Sequence, residues 1–319
     1  MKKILALLLA LWIPAAVLSG CAPQDDSAAS NKLNIVTTIF PAYDWVREIL
    51  GDETDRAEIT TLLDSGVDLH SYQPTVDDIV KISECDLFLY VGGESDGWVE
   101  DALKNAPNKD RKVIRLLDVL GDSAKAEETV EGMQEEEHDH EEEEHDHEEE
   151  EHGHEEEAEY DEHIWLSLKN AQKLVAAISE ALQETDPARK DTYAANAAAY
   201  VEKLSALDGE YRAAVDSGKY KTLLFGDRFP FRYLADDYGL DYYAAFPGCS
   251  AETEASFETV SFLAGKMDAL GLPCVLTIEG TQHKIAETIV QNTAQKNQQI
   301  LTMDSMQAVT ANDASSGVS

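Results

Sequence analysis

Nine histidines fall into two groups with different chemistry. Six lie inside an acidic run: His138, His140, His145, His147, His152 and His154 form His-Asp-His, His-Asp-His and His-Gly-His triplets between glutamates. In extended chain, residues two apart project to the same side. Imidazole beside carboxylate suits a borderline divalent cation such as zinc. A tract that only solvates the surface needs no histidine, so the run reads as weak, multi-site metal capture. Ordering such a segment costs entropy, which keeps the affinity modest.

The other three histidines stand at the ends of predicted elements. His70 lies in Asp68-Leu69-His70-Ser71-Tyr72-Gln73-Pro74-Thr75, after a short strand. His163 follows the acidic run in Asp161-Glu162-His163-Ile164-Trp165-Leu166, and His283 follows a strand in Glu279-Gly280-Thr281-Gln282-His283. Any one of them alone is more often a surface or core residue than a ligand. All three at junctions or loops match where cleft residues belong. Trp165 either shields such a site or simply packs. Cys85, Cys249 and Cys274 have no zinc-knuckle or redox spacing, and a Cys249–Cys274 disulfide is compatible with an extracytoplasmic location.

Strands and helices alternate around these residues. Strands are expected at Asn34–Ile39, Ile59–Leu63, Leu87–Val91 and Val113–Leu116, with helices at Tyr43–Leu50, Thr75–Glu84 and Trp98–Lys104. Thr75 is the expected N-cap of its helix, with Asp77 and Asp78 in the favoured first turn. The second half repeats the pattern. Strands are expected at Thr222–Phe225, Asp241–Phe246, Cys274–Ile278 and Gln299–Met303. Helices are expected at Phe229–Tyr238, Phe257–Leu270 and Lys284–Lys296. Between the halves, Leu168–Leu182 is helical. Tyr193, Ala197, Tyr200, Val201, Leu204, Leu207 and Tyr211 then recur at helical spacing after Asp186-Pro187. The fold class is therefore α/β: two Rossmann-like lobes joined by a long spine helix, with a ligand cleft between them.

The chain has 319 residues, 25 basic and 63 acidic, a net charge of −38. Between Glu127 and Glu162 stand 22 of those acids and no Lys or Arg, so the excess describes one segment and not the fold. Such a balance makes nucleic acid an improbable partner. Met1-Lys2-Lys3, the apolar run Ile4–Val17 and Leu18-Ser19-Gly20-Cys21 read as a lipoprotein signal, with Cys21 as the lipidated residue. The run is too short to span a membrane. The expected organisation is a signal over 1–21, a tether over 22–31 and an N-terminal lobe over 32–185. That lobe carries the His/acid-rich loop 124–158, to which no fixed structure is assigned. The spine helix covers 186–216 and the C-terminal lobe 217–310.

Taken together these segments resemble the solute-binding proteins of zinc and manganese uptake transporters of the ATP-binding-cassette type. The resemblance rests on Cys21, the Asp68–Thr75 block, the His-rich loop, His163-Ile164-Trp165-Leu166 with Asn170-Ala171, Asp186-Pro187 with Tyr193 and Asn196–Tyr200, and Ser250–Ser256. It implies one metal between the lobes, with His70 and His163 as the first two ligands. Counting back from Tyr238-Gly239-Leu240 puts the third at Arg228, which cannot ligate. Either Asp227 takes that role or the ligand is lost, Asp227 and Arg228 then forming an ion pair. Glu279 fits the fourth position, and His283 stands close enough to replace the missing histidine. The mixed nitrogen and oxygen set favours Zn2+ over Mn2+.

The function so implied is an extracytoplasmic, lipid-anchored, monomeric receptor and not an enzyme. It captures zinc and passes it to an ABC permease and its ATPase. A metal-scavenging adhesin or storage lipoprotein is the alternative. A zinc hydrolase is weaker, since no His-Glu-x-x-His pair and no evident general base stand near a ligand.

Overall fold

The computed structural model describes residues 32–134 and 159–310, apart from 65, 105, 251–253 and 281. The signal, the tether, Cys21 and the six histidines of the acidic run lie outside the described residues. All elements below belong to the unit Leu33–Ser319.

The first half is a parallel sheet of four strands: β1 (Leu33–Thr37), β2 (Ala57–Thr61), β3 (Leu87–Tyr90) and β4 (Lys112–Arg115), in the order β2-β1-β3-β4. β3 is buried almost throughout, as expected of a central parallel strand covered on both faces. The crossovers are α1 (Phe40–Leu50), α2 (Val76–Glu84) and α3 (Val99–Lys104). α1 buries Trp45, Val46, Ile49 and Leu50 against the sheet. Thr75 caps α2 in a full capping box with Asp78, as its sequence announces. A short helix, α4 (Leu116–Leu120), directly continues β4 and takes in Leu116, the last residue of the expected strand.

Two helices connect the halves. α5 (Leu168–Thr185) is amphipathic and buries Leu174, Val175, Ile178 and Leu182. α6 (Lys190–Ser217) has 28 residues and a length of ~42 Å. It packs on α5 and α1 through Tyr193, Ala197 and Leu204, while Leu207 and Tyr211 of its predicted stripe stay exposed. Core contact therefore ends about halfway along this helix.

The second half repeats the first. β5 (Thr222–Leu224) pairs with β6 (Asp241–Tyr243), and β7 (Cys274–Ile278) pairs with β8 (Gln299–Met303), all parallel. A bridge from Phe225 to Leu276 joins the pairs, giving the order β6-β5-β7-β8. The helices are α7 (Arg232–Tyr238), α8 (Phe257–Leu270) and α9 (Lys284–Asn292). α7 begins three residues later than expected, because Pro230 lies ahead of it in a turn that buries Phe229 and Phe231.

The start of the acidic insert is ordered, against the expectation of no fixed structure over 124–158. Ala126 forms an antiparallel bridge with Tyr160, and Glu127 donates its N–H to the Glu159 carbonyl at 2.7 Å. Gln134 N–H reaches the Ala245 carbonyl at 2.9 Å, and Lys266 pairs with Glu131 at 3.0 Å. Charge composition alone does not show these backbone contacts. Among the described residues no helix is long and apolar enough to cross a membrane.

Candidate metal centre

Asp68 caps the 3-10 turn Leu69–Ser71: its Oδ1 accepts the His70 N–H at 2.9 Å. That turn directs His70 inward. The Nδ1 of His70 lies 2.9 Å from Ser95 Oγ and 3.4 Å from Glu162 Oε2. Asp161 holds His163 twice, its Oδ1 accepting the backbone N–H at 2.8 Å and facing ring Nδ1 at 3.0 Å. A carboxylate accepts only, so His163 carries its proton on Nδ1 and leaves Nε2 bare. His70 Nδ1 is likewise engaged, by Ser95 and the Glu162 carboxyl, so Nε2 is the ring nitrogen turned to His163.

The two Nε2 atoms then face each other at 3.3 Å. Two imidazole nitrogens bound to a tetrahedral zinc, with bonds of roughly 2.0–2.1 Å, are about 3.3 Å apart. The pair is thus set at a zinc edge, each ring held from behind as metal-binding histidines usually are. A third donor completes the group. Cys249 Sγ and the two histidine nitrogens all lie within 4.8 Å of one another. His163 is fully buried and His70 nearly so.

The surroundings are acidic and largely buried. Burial pushes the Glu162 carboxyl up to about 7, against the pull of its hydrogen bonds from Ser95. Its Oε1 accepts the Ser95 N–H at 2.8 Å, while Oε2 is buried without a hydrogen-bond partner among the described residues. Burial, followed by the neighbouring His163, holds the His70 imidazole well below its usual range. Burial, followed by Asp161 and Glu127, raises the Cys249 thiol. Gly93 makes room for Glu162, since a Cβ there would fall 2.0 Å from Oε1. Trp165 is buried, its ring 5.4 Å from that of His163, and its Nε1–H donates to the Ser305 carbonyl at 2.8 Å.

His70 and His163 are therefore brought together. Asp227, Glu279 and His283 do not belong to the converging group. Asp227 Oδ1 accepts the Arg228 N–H, and its Oδ2 accepts the Ile278 N–H at 3.3 Å, bracing two strand ends. Glu279 accepts from Ser305 N–H at 2.7 Å and Ser305 Oγ at 2.6 Å. His283 opens α9 with φ of 55°. Asp227, Arg228 and His283 do line, with Asp68 and His70, one cleft of about 720 Å³ between the halves.

Two further expectations change. The Arg228 side chain pairs with Asp68 and not with Asp227. Cys85, Cys249 and Cys274 are all free thiols, so Cys249 and Cys274 form no disulfide. Cys249 is the candidate donor that the sequence-based set did not include. No sequence signal singled it out, since Asp236, Asp237 and Asp241 stand nearer to Arg228 along the chain.

Residues 35–316 match the family described as zinc-uptake complex component A, periplasmic. The chain belongs to this family. A zinc-binding lipoprotein, AdcA, of Streptococcus pneumoniae is 32 % identical over 317 residues, covering 99 % of this chain and 58 % of that protein. This chain thus spans little more than half the length of that relative. The high-affinity zinc uptake system protein ZnuA of Bacillus subtilis is 30 % identical over 276 residues, covering 86 % and 80 % of the two chains. The fold is similar to the Zn(II)-bound ZnuA-like domain of Streptococcus pneumoniae AdcA, with TM-score 0.65, 28 % identity and coverage of 90 % and 92 %. Proteins of this zinc-uptake family are solute-binding receptors, which is not an enzyme class, and they work as one component of an uptake complex.

Proposed function

We propose that this chain is the extracytoplasmic receptor that captures Zn2+ in its interlobe cleft and delivers it to an ABC-type permease and its ATPase. The observation that carries this reading is the facing pair His70 Nε2 and His163 Nε2, 3.3 Å apart, with each Nδ1 held from behind. Capture replaces the direct contact of the two ring nitrogens by two bonds to one cation. The acidic residues around the pair supply the negative field that a divalent cation needs. Release follows from opening the cleft, which residues of both halves line beside His70. Lipid attachment at Cys21 keeps the receptor at the membrane surface, and the chain works as a monomer without catalysing a reaction. The family's zinc-bound member and the nitrogen-rich donor pair both favour zinc over manganese.

The test is competition of the full chain against a chromophoric zinc chelator. One tight site is expected in wild type and is lost in His163→Ala, while weaker zinc uptake by the His-rich tract persists. Equal tight binding by wild type and His163→Ala would place the main metal element outside the cleft, as in the scavenger or adhesin alternative.

A further inference from the structure

We infer that Cys249 is the third protein ligand, so that the cargo binds to two imidazoles and one thiolate. This rests on the zinc reading above and names a donor that nothing in that reading requires. Cys249 is not a stray thiol near the site: three separate contacts fix its backbone there. Its N–H donates to Glu127 Oε1 at 2.8 Å, from the base of the acidic insert. Arg228 Nη1 donates to the carbonyl of the next residue, Ser250, at 3.3 Å. Gly248 packs closely against the His163 ring. A Cβ at position 248 would stand 3.2 Å from ring Cε1 and Nδ1 and 2.9 Å from the Phe229 carbonyl, so the loop can approach this closely only with glycine there.

The chemistry is complementary. Zinc bonds to thiolate at roughly 2.3 Å and to imidazole at roughly 2.0–2.1 Å, which puts sulfur and nitrogen about 3.6 Å apart in a tetrahedron. The observed grouping within 4.8 Å stands at most about 1.2 Å from that spacing. On binding, the Cys249 S–H proton leaves to solvent as the S–Zn bond forms, and no oxidation state changes. A sulfur donor also selects. Thiolate favours zinc and softer ions, whereas manganese prefers oxygen. Cys249 is therefore a specificity-determining residue as well as a ligand.

Cobalt(II) is the probe, because only a thiolate ligand gives an intense sulfur-to-cobalt charge-transfer band in the near ultraviolet; histidines of the acidic tract cannot produce it. Adding Co2+ to the reduced full chain is expected to produce the band, and zinc to abolish it. Cys249→Ser should lose it and bind zinc on the order of 100-fold more weakly, with the zinc-over-manganese preference narrowed by at least about 10-fold. Cys274→Ser should keep the band. Cys249→His should bind zinc tightly without it. Should Cys249→Ser misfold, zinc protection of Cys249 in wild type against N-ethylmaleimide, mapped by mass spectrometry, decides the point. No band in wild type, or alkylation at Cys249 unaffected by zinc, overturns the thiolate ligand. If His163→Ala still weakens zinc in that case, the receptor reading stands; if it does not, both fail.

Discussion

Arg228 and Asp68 form an ion pair across the cleft, joining the two halves of the molecule next to the metal centre. The same Asp68 caps the turn that carries His70, and the same Arg228 binds the carbonyl beside Cys249. An arginine at the position where the family resemblance expects a ligand thus organises two donor-bearing segments without donating to metal itself. Its guanidinium fork suits that task, offering several fixed N–H groups to carboxylate and carbonyl at once.

Arg228→Ala should therefore weaken the protein and the site together. The pair is mostly buried, so the change strands Asp68 and costs about 2 kcal/mol. Thermal melting should show the loss in the metal-free chain, with weaker but not abolished zinc binding by chelator competition. Unchanged melting and unchanged affinity would reduce the pair to a surface contact.

Asp161→Asn should keep the fold and lower zinc affinity by roughly 10–100-fold, the usual cost of losing an outer carboxylate partner. An asparagine can still accept the His163 backbone N–H, but it no longer supplies the charge that fixes the ring tautomer. Nitrogen-15 chemical shifts of the imidazole should show mixed tautomers in the variant and one tautomer in wild type.

His70→Ala and His163→Ala should each cost more than any outer-partner change, because each removes one of the two facing nitrogens. Isothermal titration of the full chain should show the tight phase lost and the shallow phase of the acidic tract retained. Retention of the tight phase in both variants would sink the cleft site.

Asp96 gives a pH test independent of metal. It is buried in the turn that presents Ser95 to His70, with Oδ1 lacking a hydrogen-bond partner among the described residues and Oδ2 accepting the Gly92 N–H at 2.9 Å. Burial raises its carboxyl from 3.8 to about 6, so the folded state keeps a proton that the unfolded chain has lost. Stability therefore falls as pH rises from about 4 through about 6, by up to about 3 kcal/mol. Asp96→Asn should raise the melting temperature by several degrees at pH 7.5, and the gain should vanish near pH 4. A pH-independent difference would place its origin elsewhere.

Much of the scaffold was legible in the chain. β3, β7, β8 and α8 could be read because buried strands and capped helices leave local patterns: Leu87-Phe88-Leu89-Tyr90, or Ser256 ahead of Phe257–Leu270. Those patterns depend on neighbours along the sequence, and so does the pair of half-molecules with repeated strand–helix order. His70 and His163 were legible for the same reason, each standing in a distinctive local block at the end of an element.

What only the tertiary structure decided is which donors share a point in space. His70 and Cys249 are brought beside His163 by loops from different strands. Their meeting depends on the Gly248 approach, the Glu127 anchor and the Arg228 bridge, none of which is local in sequence. Asp227, Glu279 and His283 looked equivalent to Cys249, or better, by residue type. Asp227 and His283 line the same cleft outside the converging group, and Glu279 is engaged by Ser305. Residue chemistry nominates candidate ligands, and chain packing decides which of them converge, because a metal bond needs donor atoms within one coordination sphere.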